Sequence, residues 1–208
     1  MKIDKKINRL RERLSLYDEM TNYMEIARRY FVMNFFDGVL TVLGVLIGYF
    51  VVMLQGLPVV FLDVLIPSLS VSVAIGISGI TGGYLTERAE RKAEIINIEK
   101  NMSINRDKSK SKKSEKTLLE KAESFATNLA SAINGFAPFL GGIVILLPFL
   151  FESLSLVTMF IISFVISVLT LYLLGLYLAK IAKDNIWKYS LPLIVAGLLT
   201  VVFTIIFT

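Results

Sequence analysis

The chain has 208 residues, of which 55% are hydrophobic and 19% are charged, against about 25% charged residues in a typical soluble domain. This composition excludes a secreted domain, a cytosolic enzyme and a disordered chain. Cysteine and histidine are absent from the whole sequence, which excludes a disulfide framework, a Cys/His zinc site and a Ser-His-Asp triad. The net charge of +5 is interpreted as the Lys and Arg excess of a membrane protein, not as a sign of nucleic-acid binding.

Residues 1–29 are predicted to form a cytoplasmic amphipathic helix. Apolar side chains recur at spacings of four and three residues, and the opposite face is charged: Ile3, Ile7, Leu10, Leu14 and Tyr17. We expect this helix to lie on the membrane lipids, against anionic headgroups. A helix that binds a partner protein is the alternative.

Five apolar stretches follow, and each is long enough to cross the roughly 30 Å of hydrocarbon in a bilayer. They are Tyr30–Leu54, Pro58–Tyr84, Phe125–Phe151, Leu154–Leu178 and Tyr189–Phe207. The prediction is an all-α integral membrane protein, with transmembrane helices 1 and 2 in residues 30–84 and helices 3 to 5 in residues 125–208.

The positive charges indicate the orientation. Eight Lys and Arg residues precede the first span, eleven lie between the second and third spans, and three lie between the fourth and fifth, which accounts for all 22. The positive-inside rule therefore places the N-terminus in the cytoplasm and the C-terminus outside. The absence of a targeting extension favours a prokaryotic plasma membrane.

The cytoplasmic loop, residues 85–124, is predicted to continue span two as a helix, to pass through a basic linker at 106–116, and to become helical again near Thr117. Carboxylates repeat at helical spacing on both sides of the linker: Glu87, Glu90, Glu94, Glu120 and Glu123. Glutamates on two facing helices are candidate ligands for a hard divalent metal ion. The alternative is ordinary ion pairing such as Glu87–Arg91. The linker lacks interleaved aromatic residues, so no nucleic-acid site is expected.

Asp37 is the most informative residue inside a span. It lies eight residues beyond Arg29, which is roughly 12 Å along a helix. A carboxylate at that depth is costly, and such residues are functional candidates by default. Thr41 and Gly44 follow on the same face and would line a polar pathway, although small residues also serve plain helix packing. An interfacial aspartate that reaches the headgroups is the alternative.

Small residues mark the next two spans. Ser72, Gly76, Gly79 and Gly83 share one face of span two, which we expect to approach span one closely. Asn134, Pro138 and Pro148 lie in span three, where prolines release backbone carbonyls that ion pathways use, although a simple kink is an equal reading. No enzyme signature is present, so the polar groups inside the spans favour transport of a small ion.

Three segments carry a resemblance to a known family. RYFVMNFFDGVLTVLG begins at Arg29, GGYLT begins at Gly82, and FLGGIVILLPF begins at Phe139. Together, and in this order, they resemble the first three helices of the vacuolar iron transporter family. The resemblance covers about residues 25–207. Gly83 and Gly79 stand where that family has a glutamate and, commonly, a methionine.

The resemblance implies a proton-coupled transporter that moves Fe²⁺ or Mn²⁺ out of the cytoplasm as a homodimer, with no tightly bound cofactor. Asp37 occupies the family's acidic position in the first helix, and the loop glutamates are candidate metal collectors by location. Asn134 and backbone oxygens near Pro138 would assist Asp37 in place of the absent ligands. The alternative is a non-transporting membrane metal sensor or scaffold that acts through the cytoplasmic loop.

Overall fold

The computed structural model describes residues 2–101, 118–151 and 153–207. Within these ranges the regular structure is helical. The helices are α1 (Lys2–Thr21), α2 (Tyr23–Leu54), α3 (Phe61–Asn101), α4 (Leu118–Leu146), α5 (Leu156–Ala182) and α6 (Ile186–Phe207), with a 3₁₀ turn at Leu147–Leu150. Helices α2 to α6 are long and apolar enough to cross a membrane, which confirms the five predicted spans.

Two helices of the described residues border the predicted cytoplasmic loop. Helix α3 continues past the membrane-length segment to Asn101, and α4 begins at Leu118. The basic linker at 106–116 lies outside the described residues. The position of the two termini with respect to the membrane remains a prediction.

A single left-handed residue separates α1 from α2. Asn22 has φ 50°, a conformation that asparagine tolerates better than most residues. Its N–H donates to the Asp18 carbonyl at 2.7 Å, and the Asp18 carboxylate accepts from the Met24 N–H at 2.9 Å. Helix α2 therefore begins at Tyr23, seven residues before the predicted start of the span.

The prolines act differently from one another. Helix α4 continues through Pro138 and ends at Leu146, and Pro148 lies in the 3₁₀ turn that follows. Because proline has no N–H, Pro138 cannot donate to the carbonyl four residues earlier, that of Asn134. The helix is thus broken only at the second of the two predicted interruptions.

The chain divides into two compact units. The first comprises residues 1–30 and 78–134. In its core the Tyr23 ring meets the Phe125 ring edge-on at 5.2 Å, and the Tyr17 ring lies 5.7 Å from Phe125. Small side chains allow close packing around these rings, and they are Ala27, Ala122, Ala126 and Ala130.

The second unit comprises residues 31–77 and 135–208. Aromatic rings from α2, the 3₁₀ turn and α5 meet at its centre, where Phe160 contacts Phe50 and Phe149 edge-on, both at 5.3 Å. Aliphatic side chains of α2 and α4 complete this core, among them Val39, Leu46 and Ile145, which are fully buried. Here Ser163 of α5 donates to the Ile145 carbonyl of α4 at 2.9 Å.

The small residues of α3 pack against α4. In the second unit, a Cβ added at Gly76 would lie 3.3 Å from the Gly135 carbonyl oxygen, and one added at Gly142 would overlap the Ser72 hydroxyl. In the first unit, Gly83 faces Asn134. The sequence-based expectation that this face of α3 approaches the first span is therefore wrong. The helix that it approaches is α4, which places Gly135 and Gly142 at the contact.

The turn between α5 and α6 is closed by Lys183 and Asp184. Lys183 is left-handed, with φ 52°. The Asp184 carboxylate accepts from the Asn185 N–H at 2.6 Å and from the Lys188 ammonium at 3.0 Å. These bonds to the charged form hold the pKa of Asp184 below its ordinary value of 3.8.

Candidate functional site

The first candidate site is a group of buried and half-buried polar side chains from α2, α3 and α4, called here the Arg91 cluster: Tyr30, Glu87, Arg91 and Glu123. The Tyr30 hydroxyl donates to a Glu87 carboxylate oxygen at 2.6 Å. Arg91 pairs with Glu123 through Nη1, and its Nε lies 3.2 Å from Glu87 at an angle that excludes a hydrogen bond. The Tyr30–Glu87 hydrogen bond therefore connects α2 with α3, and the Arg91–Glu123 pair connects α3 with α4.

The spacing along α3 explains why two of the four residues in the Arg91 cluster, Glu87 and Arg91, lie close together. Glu87 and Arg91 are four residues apart on α3, so they share a face, and the acidic residue comes first, which is the favourable order. Their side chains are only 7% and 10% exposed. The Glu87–Arg91 ion pair that the sequence suggested as the alternative to metal binding is therefore present. It is buried, whereas that alternative assumed a solvated pair on the helix surface. Buried charges need such partners, because an unpaired one is very costly.

A polar cavity of about 410 Å³ lies beside the Arg91 cluster in the first unit. Further acidic residues border it: Glu25, Glu90 and Glu94, all of which are exposed. Arg29 borders it too. Three of the carboxylates at this cavity, those of Glu25, Glu90 and Glu94, thus take no part in the Arg91 cluster.

The predicted metal ligands of the loop are arranged in different ways. Glu87 and Glu123 converge on Arg91, Glu90 and Glu94 lie at the rim of the cavity, and the side chain of Glu120 lies outside the described residues. Among the described residues, no three acidic side chains come close enough together to hold a metal ion. Metal binding by these glutamates stays a prediction.

The second candidate site centres on Asp37 in α2. Its side chain is exposed on the surface of the second unit, and none of the described lysines and arginines forms an ion pair with it. Its backbone carbonyl accepts from the Thr41 hydroxyl at 2.7 Å. The carboxylate is therefore presented outward from an apolar helix of membrane-crossing length.

The residue after Asp37 explains how the site is fixed. A Cβ added at Gly38 would overlap the backbone carbonyl of Pro138, so the backbones of α2 and α4 touch at this point. The Pro138 carbonyl thus lies against Gly38, the residue that follows Asp37. Two predicted pathway residues, Asp37 and Pro138, are therefore both close to this helix contact. Gly44, also predicted for the pathway, lies beside Thr200 of α6, where an added Cβ would be 3.5 Å from the threonine methyl, and this contact is ordinary helix packing.

Asn134 occupies the space in front of the α3 glycines in the first unit. Its amide nitrogen donates to the Gly79 carbonyl at 2.9 Å. A Cβ at Gly83 would lie 2.6 Å from the same nitrogen and 3.2 Å from the Asn134 Cβ. A larger side chain at Gly83 therefore has no room while Asn134 holds this position.

Sequence reasoning missed Tyr30 and the Arg91–Glu123 pair. Tyr30 stands 57 positions from Glu87, and Glu123 stands 32 positions from Arg91, so no periodicity within a helix reveals either contact. The one available signal is the i,i+4 pair on α3, which fixes one side of the cluster.

The described part of the chain is helical and holds five helices long and apolar enough to cross a membrane, which fits an integral membrane protein. The chain is similar to the uncharacterized protein MJ0645 of Methanocaldococcus jannaschii, to which it is 27% identical over 177 residues, 85% of each chain. No protein-family profile matches the chain. No solved structure matches it at a significant level.

Proposed function

We propose that this protein is a homodimeric transporter that exports Fe²⁺ or Mn²⁺ from the cytoplasm in exchange for protons. The observation that supports the proposal is Asp37, an exposed carboxylate on a membrane-length apolar helix with no ion-pair partner among the described side chains. A charged carboxylate facing lipid costs several kcal/mol, so an ion, water or another protein surface has to meet it.

The ligands available to the ion are oxygens. Asp37 supplies a carboxylate. Hard oxygen ligands suit Mn²⁺ and Fe²⁺, and a sequence without cysteine and histidine is poorly suited to copper or zinc. Two copies of Asp37, one from each protomer, would double the carboxylate charge around the ion.

The acidic rim of the first unit would collect cations. Glu25, Glu90 and Glu94 border the 410 Å³ cavity and are exposed. Carboxylates lining one concave surface raise the local concentration of cations. Glu87 and Glu123 contribute less in this view, since Arg91 already neutralises one of their two charges.

A second candidate function is a membrane metal sensor or scaffold that passes no ion. The observation that favours it is the filled space at Gly83, where Asn134 excludes the larger side chain that the resemblance would require. A pathway that lacks this ligand is expected to bind the transported ion less tightly. In this alternative the acidic cavity binds metal and the spans only anchor it.

Metal flux in proteoliposomes tests both functions. Purified protein is reconstituted with a divalent-sensitive dye and a pH dye inside, and Mn²⁺ or Fe²⁺ is added with and without a proton gradient. We expect metal entry with opposite proton movement, and a fall of at least tenfold in Asp37→Asn, which keeps the shape and removes the charge. Asp63→Asn is the matched control, because Asp63 is exposed in the first turn of α3.

The outcomes separate the two functions. Unchanged flux in Asp37→Asn would remove Asp37 from the mechanism. No flux of either ion through correctly inserted wild-type protein, together with metal binding to the same protein in detergent, would favour the sensor.

A further inference from the structure

Helix α1 carries a narrow, mostly apolar stripe, called here the α1 seam. Its members follow one another at spacings of four, three, four, three and four residues: Ile3, Ile7, Leu10, Leu14, Tyr17 and Thr21. At 3.6 residues per turn they fall within about 80° of the helix circumference. This alternation of four and three is the heptad spacing, in which apolar residues repeat every 3.5 positions. It is typical of a helix that packs along a second helix.

The C-terminal end of the α1 seam is already a helix contact within the first unit. The Tyr17 ring lies 5.7 Å from the Phe125 ring of α4, and Thr21 is buried. Nearer the N-terminus, no described residue covers the same stripe, since Ile7 and Leu14 are 47% and 38% exposed and every residue from 11 to 16 is exposed. The seam therefore continues from an established helix contact into an uncovered stretch.

The composition of α1 favours a helix over a membrane surface as the partner. Helices that lie in the interface present a broad apolar face with Trp, Phe or Leu and a polar face rich in Lys and Arg. The α1 seam contains neither Trp nor Phe, and four carboxylates stand among the six basic residues of the helix: Asp4, Glu12, Asp18 and Glu19. Anionic headgroups repel these carboxylates. Of the two partners considered for residues 1–29, a second helix is therefore the better match.

The charges beside the seam distinguish the two directions in which a second α1 can pack. In an antiparallel pair with full overlap, the flanking guanidiniums meet their own counterparts, Arg11 against Arg11 and Arg13 against Arg13. In a parallel pair Arg13 meets Asp18, although Lys6 meets Arg11. A two-fold axis along the membrane normal also gives both protomers the same orientation. Both considerations favour the parallel pair.

We propose that α1 is a dimerisation element, whose seam pairs with the same seam of a second copy of this chain as a short parallel coiled coil from Ile3 to Leu14. This inference rests on the homodimer of the proposed function and adds a contact to it. Two heptads are too short to form a stable pair of isolated helices. The pair therefore depends on the spans, which hold the two α1 helices at a high effective concentration. Ile7 and Leu14 each meet their own counterpart in the second copy.

Cysteine crosslinking of the full-length protein tests this contact, because the chain has no native cysteine. Ile7→Cys, Leu14→Cys and Leu16→Cys are purified separately in mild detergent, treated with a short bismaleimide and separated by SDS gel electrophoresis. Leu16 is the matched control, since it is 39% exposed against 38% for Leu14 and lies about 160° from Leu14 around the helix. We expect Ile7→Cys and Leu14→Cys to give at least about fivefold more crosslinked dimer than Leu16→Cys, because only seam positions face their counterparts.

Light scattering and a lipid probe assign the other results. A dimer in which Leu14→Cys crosslinks no better than Leu16→Cys would overturn the α1 contact and leave the homodimer standing, whereas a monomer would overturn both. In liposomes of anionic lipid, a fluorophore on Leu14→Cys that is quenched by brominated lipid would assign the seam to the membrane surface and overturn the proposal. All three variants replace exposed side chains, so the fold is expected to be retained. Crosslinking does not depend on metal flux, so a failure of transport alone leaves the α1 contact in place.

Discussion

Replacing Arg91 by methionine tests whether the Arg91 cluster holds the first unit together. The side chains of Arg91, Glu87 and Glu123 are 10%, 7% and 13% exposed, so solvent screening is weak and the surface value of an ion pair does not apply. Removing one partner of a buried pair costs about 3–5 kcal/mol, because the remaining charge is left uncompensated. Here two carboxylates would be left without the guanidinium that lies against them.

The neighbouring cavity lowers the expected cost. Its 410 Å³ and polar walls give water access to the orphaned carboxylates, so we expect a loss of about 3 kcal/mol, the lower end of the range for a broken buried pair. This corresponds to roughly a hundredfold change in the unfolding equilibrium. The measurement is an SDS titration in mixed micelles, followed by far-UV circular dichroism.

Arg88→Met is the matched control. Arg88 lies three residues earlier on α3, is exposed, and its guanidinium lies over the exposed Tyr84 ring at 5.9 Å. Its replacement is expected to change stability by no more than about 0.5 kcal/mol. Equal losses in Arg91→Met and Arg88→Met would refute the idea that the buried guanidinium holds α3 and α4 together.

A double variant separates charge from packing. In Arg91→Met with Glu123→Met, the one remaining carboxylate is Glu87, which keeps the hydrogen bond from Tyr30. Apolar replacement of a whole buried ion pair is often neutral, so we expect the double variant to recover at least half of the loss seen in Arg91→Met. A double variant less stable than either single variant would mean that Met does not fit the space and that packing dominates.

Of three further predictions, two use the same titration and the third uses thermal melting. Tyr30→Phe removes a hydrogen bond to the charged Glu87 and should cost about 1.5 kcal/mol; no loss would mean that water replaces the hydroxyl. Gly38→Ala forces a methyl group into the facing α4 carbonyl and should lower the free energy of unfolding by about 1–3 kcal/mol. Gly82→Ala, with open space around the residue, should raise it by up to about 1 kcal/mol. Equal effects of the two variants would contradict the close contact between Gly38 and α4. Because the folded state lowers the pKa of Asp184, its stabilising contribution is present above pH 3.8 and lost below it, so the melting temperature of the wild type should fall more between pH 5 and pH 2 than that of Asp184→Asn.

The spans were the most predictable part of the molecule. Hydrocarbon thickness sets a minimum length for an apolar helix, and the interruptions at Gln55–Leu57 and near Lys183 are short and polar. The same logic failed at the first boundary. The residues from Tyr23 to Arg29 are too polar to count as a span, yet they continue α2, because the break in the chain is fixed by the left-handed Asn22.

Helix partners were less predictable than helices. The stripe of Ser72, Gly76 and Gly83 correctly indicated a close approach, since small residues serve that purpose in membranes. The stripe itself does not say which helix approaches. Helix α4 is the partner because it carries Gly135 and Gly142 at matching heights, and this match is visible only when both helices are placed side by side.

The two candidate sites show why charge alone is ambiguous in such a sequence. Glu87 and Asp37 are both acidic residues near apolar stretches, yet the structure pairs the first with Arg91 and Tyr30 and leaves the second exposed without an ion-pair partner among the described residues. A paired, buried carboxylate stabilises the fold, whereas an unpaired one on an apolar helix has to be met by something outside the chain. That difference makes Asp37 the first residue to test for transport and Arg91 the first to test for stability.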